Sequence, residues 1–572
     1  MNNKKNNYFD DISFIVTNKK KFSLIIFLYV LTSILESIGI GILGPFVALL
    51  LNNNIDYPLF LNLGSLENKI TIMIYLIFFI FTTKTLMMIS ALYVTQKFAF
   101  NMQHQLRIRL TSIYLNLNFS EYLKKNSSEY NENIQNLIAI FTSNTLVTGL
   151  KIVSDLILLF FLIILLTFTN YELVIILFAT TFAFGFFYDY FFKRTLYEIS
   201  QKSSENSKKI FQITGEIFKG IKEIRIYFKE NFFTKKLKQA SYNHYTNNLK
   251  STIISNSPRY LLEYLIVVIL LLFIYLINDY ENDLVSILPT LGIFGLAALR
   301  IIPSVNSIIK SLTEFRFGKY ATSVIAKDLK IGIEKKFITK QSIEDLNFSK
   351  LEFKDVNFKY NSKDALLLNN INFEINKGDY VGIIGSSGSG KTTILNLVIG
   401  LLNPNSGQIK VNNENVENKI KEWQLNLAYL PQDVFLLDGS LKENITLEDD
   451  ISKIDIEKLN NAINKSNLKS FVDSSDNGLD TTVGENGIKI SGGQRQRLGI
   501  ARALYSNKNF LILDESTNAL DEKTKRKIIE ELYSLKDYFT IIFVDHNEDY
   551  YSRCDKIFEL SNGSLRIKKN EK

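Results

Sequence analysis

Long apolar segments dominate the first 330 residues, whereas residues 350–572 alternate short apolar strands with charged segments. A helix needs about 20 consecutive mostly apolar residues to cross a bilayer. Six runs meet this requirement, and they cover residues 22–51, 70–96, 139–168, 171–192, 257–278 and 283–311. Buried helices of a soluble core would be shorter and less aromatic, so the pattern predicts six membrane-spanning helices.

The placement of Lys and Arg predicts the orientation of these helices. Basic residues are concentrated in the leader and in the connections 97–138 and 193–256, whereas the loops 52–69, 169–170 and 279–282 contain only Lys69. Because basic loops stay on the cytoplasmic side, we expect both termini and both long connections to lie in the cytoplasm. Connections of this length are typical of helices that continue beyond the bilayer. The chain is therefore predicted to be a multi-pass protein of the cell (inner) membrane.

Length and composition narrow the remaining possibilities. A chain of 572 residues suggests two or more domains, which we place at residues 1–330 and 350–565. One cysteine excludes an intrachain disulfide, and three histidines leave little room for a histidine metal cluster. The net charge of +8 is modest and fits a membrane protein with a basic cytoplasmic side, so we expect no nucleic-acid partner. The apolar run after residue 22 is too long for a signal peptide.

The second domain contains a glycine-rich loop between a predicted strand and a predicted helix. Residues 380–384 read as a buried strand and residues 393–401 as a helix. The loop between them has the spacing of a phosphate-binding P-loop, in which backbone N–H groups converge on phosphates. Its residues are Gly385, Ser386, Ser387, Gly388, Ser389, Gly390, Lys391, Thr392 and Thr393. In this motif Lys391 contacts the β- and γ-phosphates, and the Thr392 hydroxyl binds Mg²⁺.

Two further strands end in polar residues that suit the same chemistry. Residues 510–513 precede Asp514 and Glu515, and residues 540–544 precede Asp545 and His546. Ligands of open α/β sheets bind at the carboxyl ends of the strands. We therefore expect Asp514 to hold Mg²⁺, Glu515 to polarise the attacking water, and His546 to contact the γ-phosphate.

These motifs, together with Ser491-Gly492-Gly493-Gln494, make the chain similar to the ABC transporters, and the whole sequence resembles a half-size exporter. The resemblance implies a membrane all-α six-helix transmembrane domain followed by an α/β P-loop ABC nucleotide-binding domain. It also implies ATP and Mg²⁺ as ligands and ATP hydrolysis coupled to transport. One departure stands beside the switch histidine, where the family often has Ala-His-Arg and this chain has Asp545-His546-Asn547.

The resemblance extends the candidate site beyond the P-loop. It implies that Tyr360 stacks on adenine, that Gln432 joins Mg²⁺, and that Asp521 and the signature residues contact nucleotide. The implied metal ligands are Thr392, Gln432 and Asp514. The implied catalytic residues are Glu515, His546, Gln432 and Lys391.

In the family, the signature loop of one nucleotide-binding domain covers ATP held by another. This chain has one copy of each element, and the catalytic positions are intact, so the resemblance implies a homodimer with two competent sites. Residues 116–122 and 220–227 resemble the segments that couple the two domains in exporters, although both also fit ordinary amphipathic helices.

The transported molecule is less determined by the sequence. Lys84, Arg259 and Arg300 fall in the cytoplasmic half of the predicted spans, where buried charges are costly and often functional. They suit an anionic headgroup, but they could instead reach lipid phosphates or pair with Glu36. The segments around these residues resemble bacterial flippases of polyprenyl-pyrophosphate-linked oligosaccharides, although Ser307 stands where a further basic residue is expected. Residues 57–63 could form an external amphipathic helix or a plain loop.

The leading hypothesis is thus a lipid-linked oligosaccharide flippase in a lipid bilayer. The alternative is an exporter of another amphiphile, such as a lipid A-like lipid, a drug or a peptide. An ATPase acting on nucleic acid is disfavoured because it would leave six apolar spans unexplained. A ligand-gated channel on this scaffold would show passive flux uncoupled from ATP turnover.

Overall fold

The computed structural model divides the chain into two compact units. It describes residues 8–16, 18–50, 66–167, 171–278, 284–334, 346–360, 365–448, 450–484, 487–515, 522–534, 539–545 and 548–568. The first unit comprises residues 1–117 and 122–337, and the second comprises residues 118–121 and 338–572. Each unit is described separately below.

The described part of the first unit is helical throughout. Its helices are α1 (Tyr8–Ile15), α2 (Lys19–Leu50), α3 (Leu66–Leu115), α5 (Ser127–Glu132), α6 (Ile138–Ile140), α7 (Thr148–Thr167), α8 (Tyr171–Lys219), α9 (Ile221–Ile226), α10 (Glu230–Asn278), α11 (Leu284–Phe317) and α12 (Lys319–Glu334), and a short helix α4 (Phe119–Tyr122) lies at the junction with the second unit. Two π-helical stretches, Asn133–Leu137 and Phe141–Val147, interrupt the run that leads into α7.

The long helices confirm that the predicted spans continue beyond a bilayer thickness. At a rise of 1.5 Å per residue, the 50 residues of α3 extend about 75 Å, well beyond the roughly 30 Å hydrocarbon core. Among the described residues, three stretches are long and apolar enough to cross a membrane, namely Lys19–Ile42, Ile70–Leu115 and Ser127–Thr167. Residues 57–63, for which the sequence allows an external amphipathic helix or a plain loop, lie outside the described residues.

Small residues let the first helices approach closely. A Cβ atom added at Gly41 of α2 would lie 2.6 Å from the Leu165 side chain of α7. A Cβ atom at Gly39 would lie 3.1 Å from the Phe81 ring of α3. Glycines at these positions allow the backbones to pack at distances that larger side chains would prevent.

The second unit is an α/β domain with two sheets. Its strands are β1 (Lys350–Phe358), β2 (Leu368–Asn376), β3 (Tyr380–Gly385), β4 (Ser406–Val411), β5 (Glu414–Asn415), β6 (Leu427–Leu430), β7 (Phe510–Asp514), β8 (Thr540–Val544), β9 (Lys556–Ser561) and β10 (Ser564–Lys568). Its helices are α13 (Lys391–Val398), α14 (Ile420–Leu425), α15 (Leu441–Thr446), α16 (Ile456–Lys465), α17 (Lys469–Asp473), α18 (Gly492–Ser506) and α19 (Glu522–Ser534). Helix α13 thus begins at Lys391, two residues before the sequence-based prediction.

Sheet topology brings the carboxyl ends of five parallel strands to one edge. The six-stranded sheet has the order β10-β9-β3-β8-β7-β6, and the pairings β9–β3, β3–β8, β8–β7 and β7–β6 are parallel. The smaller sheet, β2-β1-β4-β5, is antiparallel. Strands β7 and β8 are buried along their whole length, as expected for central strands that helices cover on both faces.

An aromatic cluster fills the space between the two sheets. Trp423 is fully buried, and its ring centroid lies 5.4 Å from that of Phe348 and 5.3 Å from that of Phe510. Its indole N–H donates a hydrogen bond to the Val398 carbonyl oxygen at 2.7 Å. Trp423 therefore ties α14 to the end of α13, the helix that follows the P-loop.

Replacing Trp423 should destabilise the second unit. We expect Trp423→Ala to lower its free energy of unfolding by about 3–5 kcal/mol, because it removes a large buried side chain and leaves a cavity. Trp423→Phe should cost less, since it keeps one aromatic ring in the cluster and loses the hydrogen bond and the contacts of the second ring. Urea unfolding of the full chain followed by circular dichroism measures both. Because Trp423 is the only tryptophan, its emission should also shift to the red when the parent unfolds. Equal stability of Trp423→Ala and the parent would contradict this account.

Candidate nucleotide-binding site

The P-loop connects the end of β3 to the start of α13. Gly388 and Gly390 have φ angles of 79° and 106°, which side chains other than glycine rarely adopt. Gly390 is also the N-cap residue of α13. The loop therefore turns within a few residues and points the N-terminal N–H groups of α13 toward the space that a phosphate would occupy.

Lys391 is nearly buried under this loop. Its ammonium group donates hydrogen bonds to the carbonyl oxygens of Gly385 at 2.8 Å and Ser386 at 3.2 Å. The Ser389 hydroxyl is buried and has no hydrogen-bond partner among the described residues. A buried cation and an unsatisfied hydroxyl, next to a helix N-terminus, fit the phosphates of a nucleotide.

Carboxylates lie at the end of β7. Asp514 is buried, and its carboxylate accepts a hydrogen bond from the Tyr429 hydroxyl at 3.3 Å. Burial raises the pKa of Asp514, and the adjacent Glu515 charge raises it further, whereas the Tyr429 hydroxyl and Lys391 lower it. Glu515 has a φ of 48°, an uncommon backbone conformation for a residue with a side chain.

Gln432 extends the site from the end of β6. Its side-chain N–H donates a hydrogen bond to a Glu515 carboxylate oxygen at 3.2 Å. A hydroxyl, a carboxylate and an amide oxygen are ligands that suit Mg²⁺, which also takes oxygens from substrate phosphates. Thr392, Asp514 and Gln432 supply these three groups, so the residues present fit the proposed ion.

Tyr360 reaches the helix that follows the P-loop. Its hydroxyl is 3.1 Å from the Thr393 hydroxyl, and its ring packs edge-on against Phe358 with a centroid distance of 5.0 Å. About half of the Tyr360 residue surface remains exposed, at 53%. An exposed ring held at its tip can stack on a base, which is the role that we propose for it.

The signature residues form the N-terminus of α18. Ser491 and Gln494 make a capping box, in which the Ser491 hydroxyl accepts from the Gln494 N–H at 3.2 Å and the Gln494 side chain accepts from the Ser491 N–H at 2.8 Å. Ser491 and Gly492 are exposed. The capped helix start therefore presents its free N–H groups outward, where an anion from another chain could bind.

Several predicted residues cannot be placed. Asp521 and His546 lie outside the described residues. Arg300 lies within α11, but its side chain is not among those described. Their roles remain predictions.

The other two basic residues of the predicted cavity both have acidic partners. The Lys84 ammonium of α3 lies 3.0 Å from the Glu36 carboxylate of α2, and both side chains are largely buried, at 15% and 5% exposure. This is the pairing that the sequence left open as an alternative. Arg259 is exposed at 62%, and its guanidinium group is 2.8 Å from the Glu263 carboxylate one turn further along α10.

Sequence reasoning missed two groups at this sheet edge. The first is Tyr429, because nothing in a single tyrosine of the sequence shows that it faces Asp514. Asp545 was recorded as a departure from the family pattern, but its partner, Lys525 of α19, lies 20 residues away in the chain. The sequence did contain one signal: Asp545 carries a charge at a position where the family often has alanine. A charge at such a position predicts a basic partner, which is Lys525.

Comparisons with known proteins agree with this architecture. Residues 22–288 match the family model described as the ABC transporter transmembrane region, and residues 368–518 match the family model described as ABC transporter. The solved structure of a bacterial Atm1-family ABC exporter with ATP bound superposes with a TM-score of 0.79 at 19% sequence identity, covering 97% of this chain and 96% of that one. At this identity the likeness shows the fold.

Several of the curated relatives are named as lipid A-core flippases. The chain is 35% identical over 265 residues to the ATP-dependent lipid A-core flippase of Pasteurella multocida, which is 45% of each chain. It is 28% identical over 371 residues to the protein of the same name from Pectobacterium atrosepticum, covering 64% of this chain and 63% of that one. The alignments thus span less than two thirds of the relatives' length.

Glu515 should be needed for turnover and dispensable for binding. We expect Glu515→Gln to lower kcat for ATP hydrolysis roughly 10²-fold or more, because the amide cannot accept a proton from water. The affinity for a fluorescent ATP analogue should stay within about threefold, since the P-loop is unchanged. Single-turnover hydrolysis and equilibrium fluorescence measure the two quantities. Asp433→Asn, next to Gln432, is the control, and rapid hydrolysis by Glu515→Gln would refute the assignment.

Proposed function

We propose that this chain, which belongs to the ABC transporters and joins their transmembrane region to their ATPase domain, uses ATP hydrolysis to move an anionic amphiphile across a membrane. The observation that carries the proposal is the shared edge of the six-stranded sheet. The P-loop, Asp514, Glu515 and Gln432 all follow parallel strands that end there. Helices long enough to span a bilayer precede this domain in the same chain.

The proposed chemistry assigns a separate task to each group. Lys391 and the N–H groups of α13 bind the phosphates, and Glu515 polarises the attacking water. Mg²⁺ would offset the phosphate charge, with Thr392, Asp514 and Gln432 as its protein ligands. Because Gln432 contacts Glu515 directly, a shift of the loop after β6 changes the environment of the proposed general base.

A homodimer is the assembly that we propose. The exposed start of α18 needs a phosphate from a second chain if it acts as the family's signature loop does. The α8–α10 connection supports a partner as well, because Ile226, Tyr227 and Phe228 at the end of α9 are exposed at 70%, 69% and 84%. By contrast, Phe119 in the other coupling segment packs against the core of the second unit.

We further propose that the ATPase domain lies in the cytoplasm and that the spanning helices of the same chain lie in the inner membrane.

The proposed substrate is a lipid with a phosphate-bearing headgroup. A polyprenyl-pyrophosphate-linked oligosaccharide is the candidate that the basic residues of the spans suggest. The ion pair between Lys84 and Glu36 weakens the part of this argument that rests on Lys84, because that cation is already neutralised. A lipid A-like lipid is the second candidate, and the names of the relatives favour it.

Purified single chain should hydrolyse ATP without a second gene product. The expected result is Mg²⁺-dependent turnover by a species with the mass of a dimer, about twice 65.8 kDa before detergent is counted. Size-exclusion chromatography with light scattering gives the mass, and a coupled assay gives the rate. Dependence on an added heterologous subunit would contradict the homodimer.

Transport is tested in proteoliposomes that contain either a labelled polyprenyl-pyrophosphate-linked oligosaccharide or a labelled lipid A-like lipid. We expect ATP-dependent translocation of one of them by the parent and none by Glu515→Gln. Movement of only the lipid A-type lipid would select the second candidate. If neither lipid moves while ATP hydrolysis continues, the proposed substrate class is wrong.

Arg259 and Arg300 should matter for transport more than for ATP hydrolysis. We expect Arg259→Ala and Arg300→Ala each to lower translocation at least about tenfold, because an anionic headgroup loses a charged partner. Basal ATP hydrolysis should stay within about twofold, since neither residue lies in the ATPase domain. Lys250→Ala, which removes an exposed charge elsewhere on α10, is the matched control. Normal flipping by both arginine variants would refute the role of these residues.

A further inference from the structure

A buried ion pair holds Asp545, the residue that precedes His546 in the chain. The Lys525 ammonium of α19 is 2.8 Å from one Asp545 carboxylate oxygen and 3.0 Å from the other. The side chains are exposed at only 10% and 1%. Asp545 is the residue that directly precedes His546, at the end of β8. The ion pair therefore fixes the side chain of that residue to a neighbouring helix.

A tyrosine fixes the backbone of the same residue. The Tyr551 hydroxyl accepts a hydrogen bond from the Asp545 N–H at 2.7 Å. It lies 2.6 Å from the Asp545 carbonyl oxygen and 3.2 Å from the Ile383 carbonyl oxygen, to either of which it can donate. Burial raises the pKa of Tyr551, so the hydroxyl stays protonated and available as a donor.

The tyrosine is held against the strand that leads to the P-loop. A Cβ atom added at Gly382 of β3 would lie 2.3 Å from the Tyr551 ring, so only glycine leaves room for this contact. Cys554 lies on the same side, with its sulfur 3.1 Å from the added Cβ position. Burial raises the pKa of this thiol to about 12, so it packs as a neutral group. Tyr551 thus connects the end of β8 to β3.

The ion pair makes a second connection. Helix α19 begins at Glu522, immediately after Asp521, which we propose to contact nucleotide. Lys525 lies in the first turn of that helix. The pair therefore joins the element that follows Asp521 to the residue that precedes His546.

Stability alone is a poor explanation for this arrangement. Taking two charges out of water costs several kcal/mol per ion, and buried ion pairs are often no more stabilising than apolar residues of similar volume. ABC transporters often have an alanine at the position of Asp545, and alanine needs no charged partner. The Lys525 ammonium is costly to bury and contacts both carboxylate oxygens of Asp545. Such a pair is suited to fixing the position of Asp545 relative to α19.

We propose that Lys525, Asp545 and Tyr551 are positioning residues that fix the chain at His546 for contact with the γ-phosphate. This proposal rests on the proposed ATPase function. It assigns the three residues to orientation of the histidine, and none of them to contact with the nucleotide.

The experiment separates positioning from folding by a double substitution. Asp545→Ala alone removes the carboxylate partner of a largely buried lysine charge, so it should lower both the thermal stability and kcat. Lys525→Met with Asp545→Ala removes both charges and should restore the melting temperature. Under the proposal, kcat of this double variant stays about tenfold or more below the parent, because the histidine is no longer held. The KM for ATP should remain within about twofold, since the P-loop is intact.

Two further variants complete the test. Lys525→Arg keeps the charge and should keep kcat within about threefold of the parent. Tyr551→Phe keeps the ring against Gly382 and loses only the hydroxyl, so it should lower kcat without changing KM. The control is Asp379→Ala, which breaks another 2.8 Å ion pair of the same unit, with Lys556, at the end of β3 opposite the P-loop. It should lower the melting temperature and leave kcat unchanged.

The outcomes are distinct. Parent-level kcat in the stable double variant, or in Tyr551→Phe, would overturn the proposal. A parent protein without any ATP hydrolysis would overturn the proposed function instead. In that case hydrogen exchange decides the positioning role, because the Asp545 amide is bonded to the Tyr551 hydroxyl. Tyr551→Phe should speed exchange of the Asp545 amide, and unchanged exchange would overturn the proposal.

Discussion

Parallel pairing of β3, β8, β7 and β6 is the constraint on which the candidate site depends. The four strands are adjacent in the sheet, and each runs in the same direction. Each ends in a residue of the site or lies one or two residues before one: the P-loop, Asp545, Asp514 with Glu515, and Gln432. A change of register in one pair would move its polar residues relative to the others by about 3.3 Å per residue. Backbone hydrogen bonds therefore set the distances that the chemistry needs.

Continuous apolar runs in the sequence predicted strands at residues 380–384, 510–513 and 540–544. The structure has β3, β7 and β8 at these positions. Their periodicity and the motifs at their ends are local signals, which is why β3, β7, β8 and the P-loop could be predicted. The lateral order of the strands is not local, because β8 lies between β3 and β7 although it follows both in the chain. The contacts of Tyr429 with Asp514 and of Lys525 with Asp545 depend on that order. No periodicity in the sequence records them.

The two units place their large apolar side chains in opposite ways. Phe186, Phe187 and Phe191 of α8 are exposed at 59–69%, as expected for helices whose solvent is lipid. In the ATPase domain the comparable rings of Phe348, Phe510 and Phe543 are buried almost completely. The sequence revealed the first pattern through length alone. It could not reveal which helices meet, because a run that is apolar on all sides does not indicate its contact face.

Buried ion pairs occur in both units, and their surroundings indicate the same structural role for each. Lys84 pairs with Glu36 between two apolar helices, and Lys525 pairs with Asp545 beside the proposed switch histidine. Each pair joins two consecutive elements of the chain, α2 with α3 and α19 with the end of β8, which could otherwise slide or rotate against each other. An apolar contact tolerates such a shift, because its energy depends on area more than on direction. A buried ion pair does not tolerate it, since loss of the partner leaves an unsolvated charge. In a protein proposed to couple ATP hydrolysis to transport, we expect each pair to keep its two elements fixed relative to each other.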